Sequence, residues 1–243
     1  DYYTVNQRGT ASFFKALRSQ NMHPKKIIVL SSLAASGPSV NGKAVRESDP
    51  ACPLTPYGES KLLGEAEALK FKGDFSVIIL RAAAIFGPRD RDFLPYFKLI
   101  KQGLGVSLGS KKKFLSLCYV KDLINALYLC TQKELDSGEI LNIADPHSYS
   151  WDEFERAAGK AAGKKLKKVS IPVSVFSFAS LLSEVWGKIS RTPALLNRYK
   201  FKELKQSCWV ADTSKAEEKL SFYPLFSLEK AVEETLNWYR KFR

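Results

Sequence analysis

The sequence KKIIVLSSLAASG at residues 25–37, followed after a polar loop by TPYGESKLLGEAE at residues 55–67, decides the fold of this chain. The apolar run 27–30 is short and is typical of a strand that is buried on both faces. Thr55 suits the N-cap of a helix, Pro56 suits its first position, and apolar residues then recur at helical spacing. Together the two segments predict a buried strand followed by a helix, the repeating unit of an α/β sheet.

Tyr57 and Lys61 lie four residues apart and therefore on one face of the predicted helix. A free phenol titrates near ~10, and a lysine ammonium one turn away favours its phenolate form. A serine where the strand ends could hold a substrate oxygen in line with this phenol, so the residues predict a proton-transfer site. The pattern Tyr-x-x-x-Lys is short, however, and a chance match is expected in a chain with 10 Tyr residues.

Four segments in the order and spacing of one family strengthen this interpretation. VNQRGT at 5–10, VLSSLAASG at 29–37, PYGESK at 56–61 and LRAAAIFGPRD at 80–90 together resemble the extended short-chain dehydrogenase/reductase family, also called the NAD-dependent epimerase/dehydratase family. The resemblance implies a Rossmann-type, doubly wound parallel sheet and a nicotinamide cofactor, NAD or NADP. It assigns catalysis to Ser32, Tyr57, Lys61 and Asn6, and cofactor contact to Tyr57, Lys61, Ser31 and Ala82.

The chain contains neither G-x-G-x-x-G nor G-x-x-G-x-x-G, the turn that lets a backbone approach a pyrophosphate. Compared with the family, it starts just before the fourth helix, so we expect an N-terminally truncated member with an exposed edge at strand 27–30. We predict a partial NAD(P)-binding Rossmann domain at 1–110, which lacks the first strands and the glycine-rich loop. Residues 111–243 are predicted to form a smaller substrate-binding lobe with elements that complete the sheet.

The remaining elements follow from apolar periodicity and from cap signals. A second buried strand, Phe75 to Leu80, is expected to run parallel to the first and to place Ser32 and Arg81 in the same crevice. A capping box, Ser150-x-x-Glu153, predicts a helix start. Helices are also predicted at 6–22, 93–100, 120–130 and 228–243, and strands at 114–119 and 140–143.

The stretch VSIPVSVFSFASLL at 169–182 is the most apolar part of the chain after the sheet. It is too short and too polar for a spanning helix, which needs about 20 apolar residues. Because GKKLKK precedes it, it could lie on an anionic bilayer surface or line an apolar pocket. We expect the core or pocket wall of the substrate lobe rather than membrane contact, since interfacial helices need a charged face.

Composition restricts the partners. The net charge of +13 comes with lysine clusters at 111–113 and 160–168, yet no zinc-finger, RNP or helix-turn-helix motif accompanies them, so nucleic-acid binding is not expected. The four cysteines show no ligand spacing, and we expect no metal site and mostly buried, reduced thiols. No signal-peptide pattern is present, which predicts a cytoplasmic protein.

Two positions bear on the substrate that the resemblance implies. Nucleotide-sugar members commonly carry an asparagine where this chain has Ala84, and a diphosphate-binding arginine where it has Leu115. The segments around Ser32 and Ala84 are closer to the 3β-hydroxysteroid dehydrogenase and dihydroflavonol reductase branch. We therefore expect hydride transfer on a bulky, non-nucleotide small molecule. A nucleotide-sugar epimerase or dehydratase and a non-catalytic remnant acting as a binding module stay open, as does a homodimer.

Overall fold

Helices and strands alternate along residues 2–177 and 198–241, the parts of the chain that this computed structural model describes. A π-helical turn (Thr4–Gly9) leads into the first α-helix, and a 3-10 turn (Leu33–Ala35) follows the first strand. The described helices are α1 (Thr10–Ser19), α2 (Pro56–Leu69), α3 (Leu94–Lys101), α4 (Val120–Gln132), α5 (Trp151–Ala162), α6 (Arg198–Lys205), α7 (Ser214–Leu220) and α8 (Leu228–Lys241).

The strands form four small sheets in the described ranges, with orders β1-β2-β7, β10-β5-β8, β3-β6 and β4-β9. Their bounds are β1 (Ile27–Ser32), β2 (Val77–Ala82), β3 (Ala84–Phe86), β4 (Leu104–Leu108), β5 (Phe114–Leu115), β6 (Leu117–Tyr119), β7 (Glu139–Ile143), β8 (Tyr149–Ser150), β9 (Lys167–Ile171) and β10 (Cys208–Trp209).

The β1-β2-β7 sheet is parallel throughout, and all six residues of β2 are buried. Val77 and Ile79 pack in one core with residues of α1 and α2, whereas Ile78 and Leu80 pack in a second core with residues of α4 and α7. Because side chains alternate along a strand, a central strand covered by helices on both faces must be apolar at every position. The predicted α/β fold with a parallel sheet is confirmed.

The chain folds into two compact units that interleave in sequence. Unit 1 comprises residues 1–85, 116–148 and 209–226, and unit 2 comprises residues 86–115, 149–208 and 227–243. Our sequence-based division placed a single boundary after residue 110, whereas the chain passes from one unit to the other several times. The division into a cofactor domain and a substrate lobe stays a prediction.

Two predicted elements are interrupted in the structure, and one predicted helix start is confirmed. The helix predicted at 6–22 is a π-turn followed by α1, which ends at Ser19. The strand predicted at 114–119 is interrupted at Ser116, whose backbone N–H donates to Trp209 O at 2.7 Å and whose hydroxyl accepts from Ala211 N at 3.0 Å. These hydrogen bonds to Trp209 and Ala211 interrupt the strand, so residues 114–119 do not form one continuous strand. The capping box of Ser150 and Glu153 is present at the start of α5 and is confirmed.

The apolar stretch predicted as core at 169–182 lies partly outside the described residues, which end at 177 before resuming at 198. In its described part, Val169, Val173 and Val175 are 39%, 37% and 56% exposed. These three valines are therefore not core residues: Val169 lies on β9, which the structure pairs with β4, and Val173 and Val175 follow the end of that strand. A role in a pocket wall stays a prediction. No helix in the described ranges combines the length and the apolar character needed to cross a bilayer.

Unit 2 has an aromatic core with a carboxyl group inside it. Phe97 and Phe154 are fully buried and lie 6.0 Å apart between ring centroids, and Tyr96 packs on Trp151 at 4.7 Å. Glu155 is only 2% exposed, and its Oε1 has no hydrogen-bond partner among the described residues. Burial raises the pKa of Glu155 by more than the nearby Tyr96 and Lys168 side chains lower it.

Replacing Glu155 by glutamine is expected to raise the free energy of unfolding at neutral pH by about 1 kcal/mol, since it removes a buried, incompletely paired carboxylate. A raised pKa means that the folded chain holds a proton which the unfolded chain has released, so wild-type stability falls as pH rises above about 4.3. The difference in the free energy of unfolding between E155Q and the wild type should therefore vanish in acid. Urea unfolding at several pH values, with exposed E233Q as control, measures this, and a pH-independent difference would contradict it.

Candidate active site

The site is built on the first turn of α2, which starts where the sequence predicts. Thr55 is the N-cap, its hydroxyl accepts from the Gly58 N–H at 3.3 Å, and Pro56 occupies the first helical turn. Such a cap satisfies an amide that has no partner within the helix, and proline has no N–H to leave unpaired. Tyr57 is thereby held at the start of a rigid helix.

Lys61 joins this helix to the carboxyl end of β1. Its Nζ donates to Leu30 O at 3.1 Å and lies 6.0 Å from the centroid of the Tyr57 ring. Burial lowers the pKa of Lys61, and the Glu65 carboxylate one turn further along α2 partly offsets this. The ammonium group thus lies beside the ring of Tyr57, as the i, i+4 spacing predicts.

Ser32 ends β1 and caps the 3-10 turn that follows, because its Oγ accepts from Ala34 N at 3.2 Å. This turn packs directly against the start of α2: a Cβ placed on Gly58 would lie 2.3 Å from Ala34 O. Only glycine allows such an approach of two backbones. The contact brings the end of β1, with Ser32, and the turn of α2 that carries Tyr57 into one site.

Replacing Gly58 by alanine is therefore expected to destabilise unit 1 by about 1–3 kcal/mol, although alanine favours a helix over glycine by about 1 kcal/mol. The added methyl group meets backbone, which cannot rotate away. Gly73→Ala is the matched control, since its Cβ meets nothing within 4 Å. Urea unfolding of both variants gives the comparison. Equal stability of G58A and G73A would show that α2 and the 3-10 turn can separate without cost.

Asn6 contacts α2 through Ser60. Its Nδ2 donates to Ser60 Oγ at 2.9 Å, and Ser60 Oγ in turn donates to the backbone oxygen of Tyr57 at 2.8 Å. Asn6 lies in the π-turn, a distortion that is often found at functional sites. The structure thus places Asn6 one hydrogen bond away from the turn of Tyr57, and its role in a proton relay stays a prediction.

Arg81 does not face the crevice beside Ser32, so that expectation is wrong. In the register of the sheet Arg81 lies opposite Ser31, and Ala82 lies opposite Ser32. Because side chains alternate, Arg81 points with Ser31 into the space under α2. Ala82 is buried beside the strand position of Ser32. The cofactor contacts predicted for Ser31 and Ala82 stay predictions.

A buried network under α2 was not anticipated from the sequence. Arg81 donates to both oxygens of Glu65, at 2.7 Å from Nη2 to Oε2 and 3.0 Å from Nε to Oε1, and a third bond goes to Ser36 Oγ. The hydroxyl of Ser31 donates to Glu65 Oε1 at 2.5 Å. Arg81 and Glu65 are 4% and 2% exposed. The only sequence signal was a charged residue on the apolar face of each element.

Tyr2 was also missed. Its ring meets that of Tyr57 edge to face, with centroids 5.5 Å apart, and the neighbouring Tyr3 hydroxyl donates to Glu59 Oε2 at 2.8 Å. Two adjacent tyrosines near the start of the chain are an unusual pattern that could have drawn attention. They attach the π-turn to the same end of α2 that carries Tyr57.

Known proteins resemble this chain over nearly its whole length. Ceramide reductase of Caulobacter vibrioides is 27% identical over 97% of this chain and 68% of its own length. Sterol-4-alpha-carboxylate 3-dehydrogenase, decarboxylating, of Saccharomyces cerevisiae is 29% identical over 98% of this chain and 71% of its own length.

Two solved structures share the fold. UDP-glucuronic acid 4-epimerase from Bacillus cereus, in complex with UDP-glucuronic acid and NAD, superposes with a TM-score of 0.74 at 22% identity, over 98% of this chain and 68% of its own. RMD from Pseudomonas aeruginosa, complexed with NADPH, gives 0.75 at 15% identity, over 98% and 74%. Residues 1–144, more than half of the sequence, match the profile of one family. The chain belongs to the NAD dependent epimerase/dehydratase family.

Proposed function

We propose that this chain carries the proton-transfer site of an NAD(P)-dependent oxidoreductase that acts on a secondary alcohol or ketone of a bulky, apolar, non-nucleotide substrate. The observation that carries the proposal is the geometry of Lys61, which bridges the carboxyl end of β1 and the ring of Tyr57. Ligands of open α/β sheets bind outside the carboxyl ends of the strands. The site is therefore where a substrate of this fold is expected.

The donor set suits one end of a nicotinamide cofactor. Lys61 carries an ammonium group and Tyr57 a phenol, and both can bind ribose hydroxyls. The 243 residues contain no glycine-rich turn for the pyrophosphate, so the fit concerns the nicotinamide ribose alone. When bound, the cofactor supplies the acceptor or donor of a hydride.

Each of these side chains has its own role in the proton transfer. Tyr57 takes the proton from the substrate hydroxyl during oxidation and returns it to the carbonyl oxygen during reduction. Lys61 favours the ionised phenol through its charge, and Ser32 holds the substrate oxygen in line with the phenol. Asn6 orders the turn of Tyr57 through Ser60 and supports a water relay.

The substrate class rests on three observations. Ala84 and Leu115 replace the asparagine and arginine that commonly serve nucleotide sugars in relatives. Ala84 is exposed on β3, and the next residue, Ile85, is 36% exposed, so this edge of unit 1 presents apolar surface. Two relatives that match nearly the whole chain are named for a ceramide and a sterol carboxylate. All three favour an apolar substrate.

The proposal is tested with the protein encoded by the complete reading frame, which is obtained by sequencing upstream of the Asp1 codon. We expect NAD(P)-dependent turnover of a sterol or long-chain secondary alcohol, and no inhibition by UDP. The Y57F variant serves as the blank. Turnover of a UDP-sugar together with UDP inhibition would contradict the substrate class and favour an epimerase or dehydratase. If the Y57F variant replaced the wild-type protein in the cell without loss of function, this result would instead favour a non-catalytic binding module.

A further inference from the structure

The positive charge of this protein is confined to one of its two units. The 38 basic and 25 acidic residues divide into 15 and 15 in unit 1, and into 23 and 10 in unit 2. Unit 1, which holds the candidate active site, is therefore neutral, and unit 2 carries the whole net charge of +13. Net charge acts at long range on binding partners and does not determine the fold. The uneven distribution of charge therefore bears on what the protein associates with.

Within unit 2 one dense group of lysines lies just before β9 and in its first residues. The segment KKLKKVSIPVSV at 164–175, together with Lys111 and Lys112, is defined here as the basic strip. Its lysines are all exposed. The two parts are held side by side, because Gly109 N donates to Ile171 O at 2.9 Å and Ser170 Oγ donates to Gly109 O at 2.9 Å. No Asp or Glu occurs in the sequence from 156 to 183.

The same strip exposes apolar side chains. Val169, Val173 and Val175 are between 37% and 56% exposed, and they follow directly on the lysines. The flexible stem of lysine carries its charge away from the strand, so an apolar surface and a layer of ammonium groups lie together. This combination matches the boundary between the phosphate headgroups and the acyl chains of a bilayer.

The composition of the strip disfavours a nucleic-acid partner. Recognition of the bases commonly uses arginine forks in the grooves of a duplex and aromatic rings that stack on single strands. The basic strip contains no Arg, Phe, Tyr or Trp. We propose that the basic strip docks unit 2 onto a membrane surface rich in anionic phospholipids. This goes beyond the proposed oxidoreductase, since it involves none of the residues around Tyr57.

The test is flotation of the protein with vesicles. We expect binding to phosphatidylcholine vesicles that contain about 30% phosphatidylserine, weak binding to pure phosphatidylcholine, and release in high salt. Each lysine near an anionic surface contributes roughly a fivefold factor in partitioning. The triple variant K164Q/K165Q/K167Q should therefore bind about 100-fold more weakly at low salt. V173S/V175S should weaken binding without any change of charge.

The matched control is K15Q/K25Q/K43Q, which removes the same charge from exposed lysines of unit 1 and should bind nearly as well as the wild type. Far-UV circular dichroism confirms that each variant is folded. An equal loss of vesicle binding in both triple variants would overturn the docking site. Wild-type binding that does not depend on the charge of the lipids would also overturn it. Binding to duplex DNA but not to anionic vesicles would overturn the proposal of a membrane partner and would indicate a nucleic-acid partner. Catalytic activity enters none of these readouts, so the proposed function can fail separately.

Discussion

Replacing Arg81 by methionine is expected to lower the free energy of unfolding by about 3–5 kcal/mol. The change leaves the Glu65 carboxylate, 2% exposed, without the guanidinium that donates to both of its oxygens. An uncompensated buried charge costs far more than the pair itself contributes. Urea denaturation followed by circular dichroism measures the effect.

The control is Arg18→Met, which removes an arginine from an ion pair with Asp74 at the surface. That pair has an N–O distance of 3.6 Å and side chains that are 68% and 42% exposed, so its loss should change stability by less than about 1 kcal/mol. A double variant, E65L/R81M, should recover much of the stability lost in R81M, because no charge then stays buried. Equal effects of R81M and R18M would show that water reaches Glu65.

Replacing Tyr57 by phenylalanine is expected to reduce turnover by a factor of about 10² to 10⁴, the usual contribution of a positioned general acid or base. The change removes only the hydroxyl, so the edge-to-face contact with Tyr2 and the packing of α2 should survive. The measurement is the steady-state rate of cofactor reduction in the protein from the complete reading frame, with the thermal unfolding midpoint recorded alongside.

Tyr128→Phe provides the control, since Tyr128 is 61% exposed on α4. It removes the same atom from the same unit and should leave turnover within about twofold of the wild type, as surface changes of this kind normally do. If Y57F and Y128F turned over equally fast, Tyr57 would not transfer the proton, and the assignment of the site would fail.

Features of local origin can be predicted from the amino-acid sequence. The strand at Ile27, the Thr55 cap, the facing of Tyr57 and Lys61, and the capping box at Ser150 all depend on neighbours within a few residues. Their geometry follows from helix and strand periodicity and from unpaired terminal amides. The same periodicity does not predict the face of the sheet on which Arg81 lies. A strand that is apolar at every position has no polar face that would distinguish its two sides.

The sequence by itself thus determined the family, the parallel α/β sheet and the alignment of the Tyr57 and Lys61 side chains. Tertiary structure alone decided the Arg81 and Glu65 pair, the approach of Gly58 to Ala34, and the exposure of three valines, Val169, Val173 and Val175. Each of these depends on strand register or on which surfaces pack, contacts between residues distant in sequence. Such contacts are set by competition among many burial energies, and no single stretch of sequence contains that information.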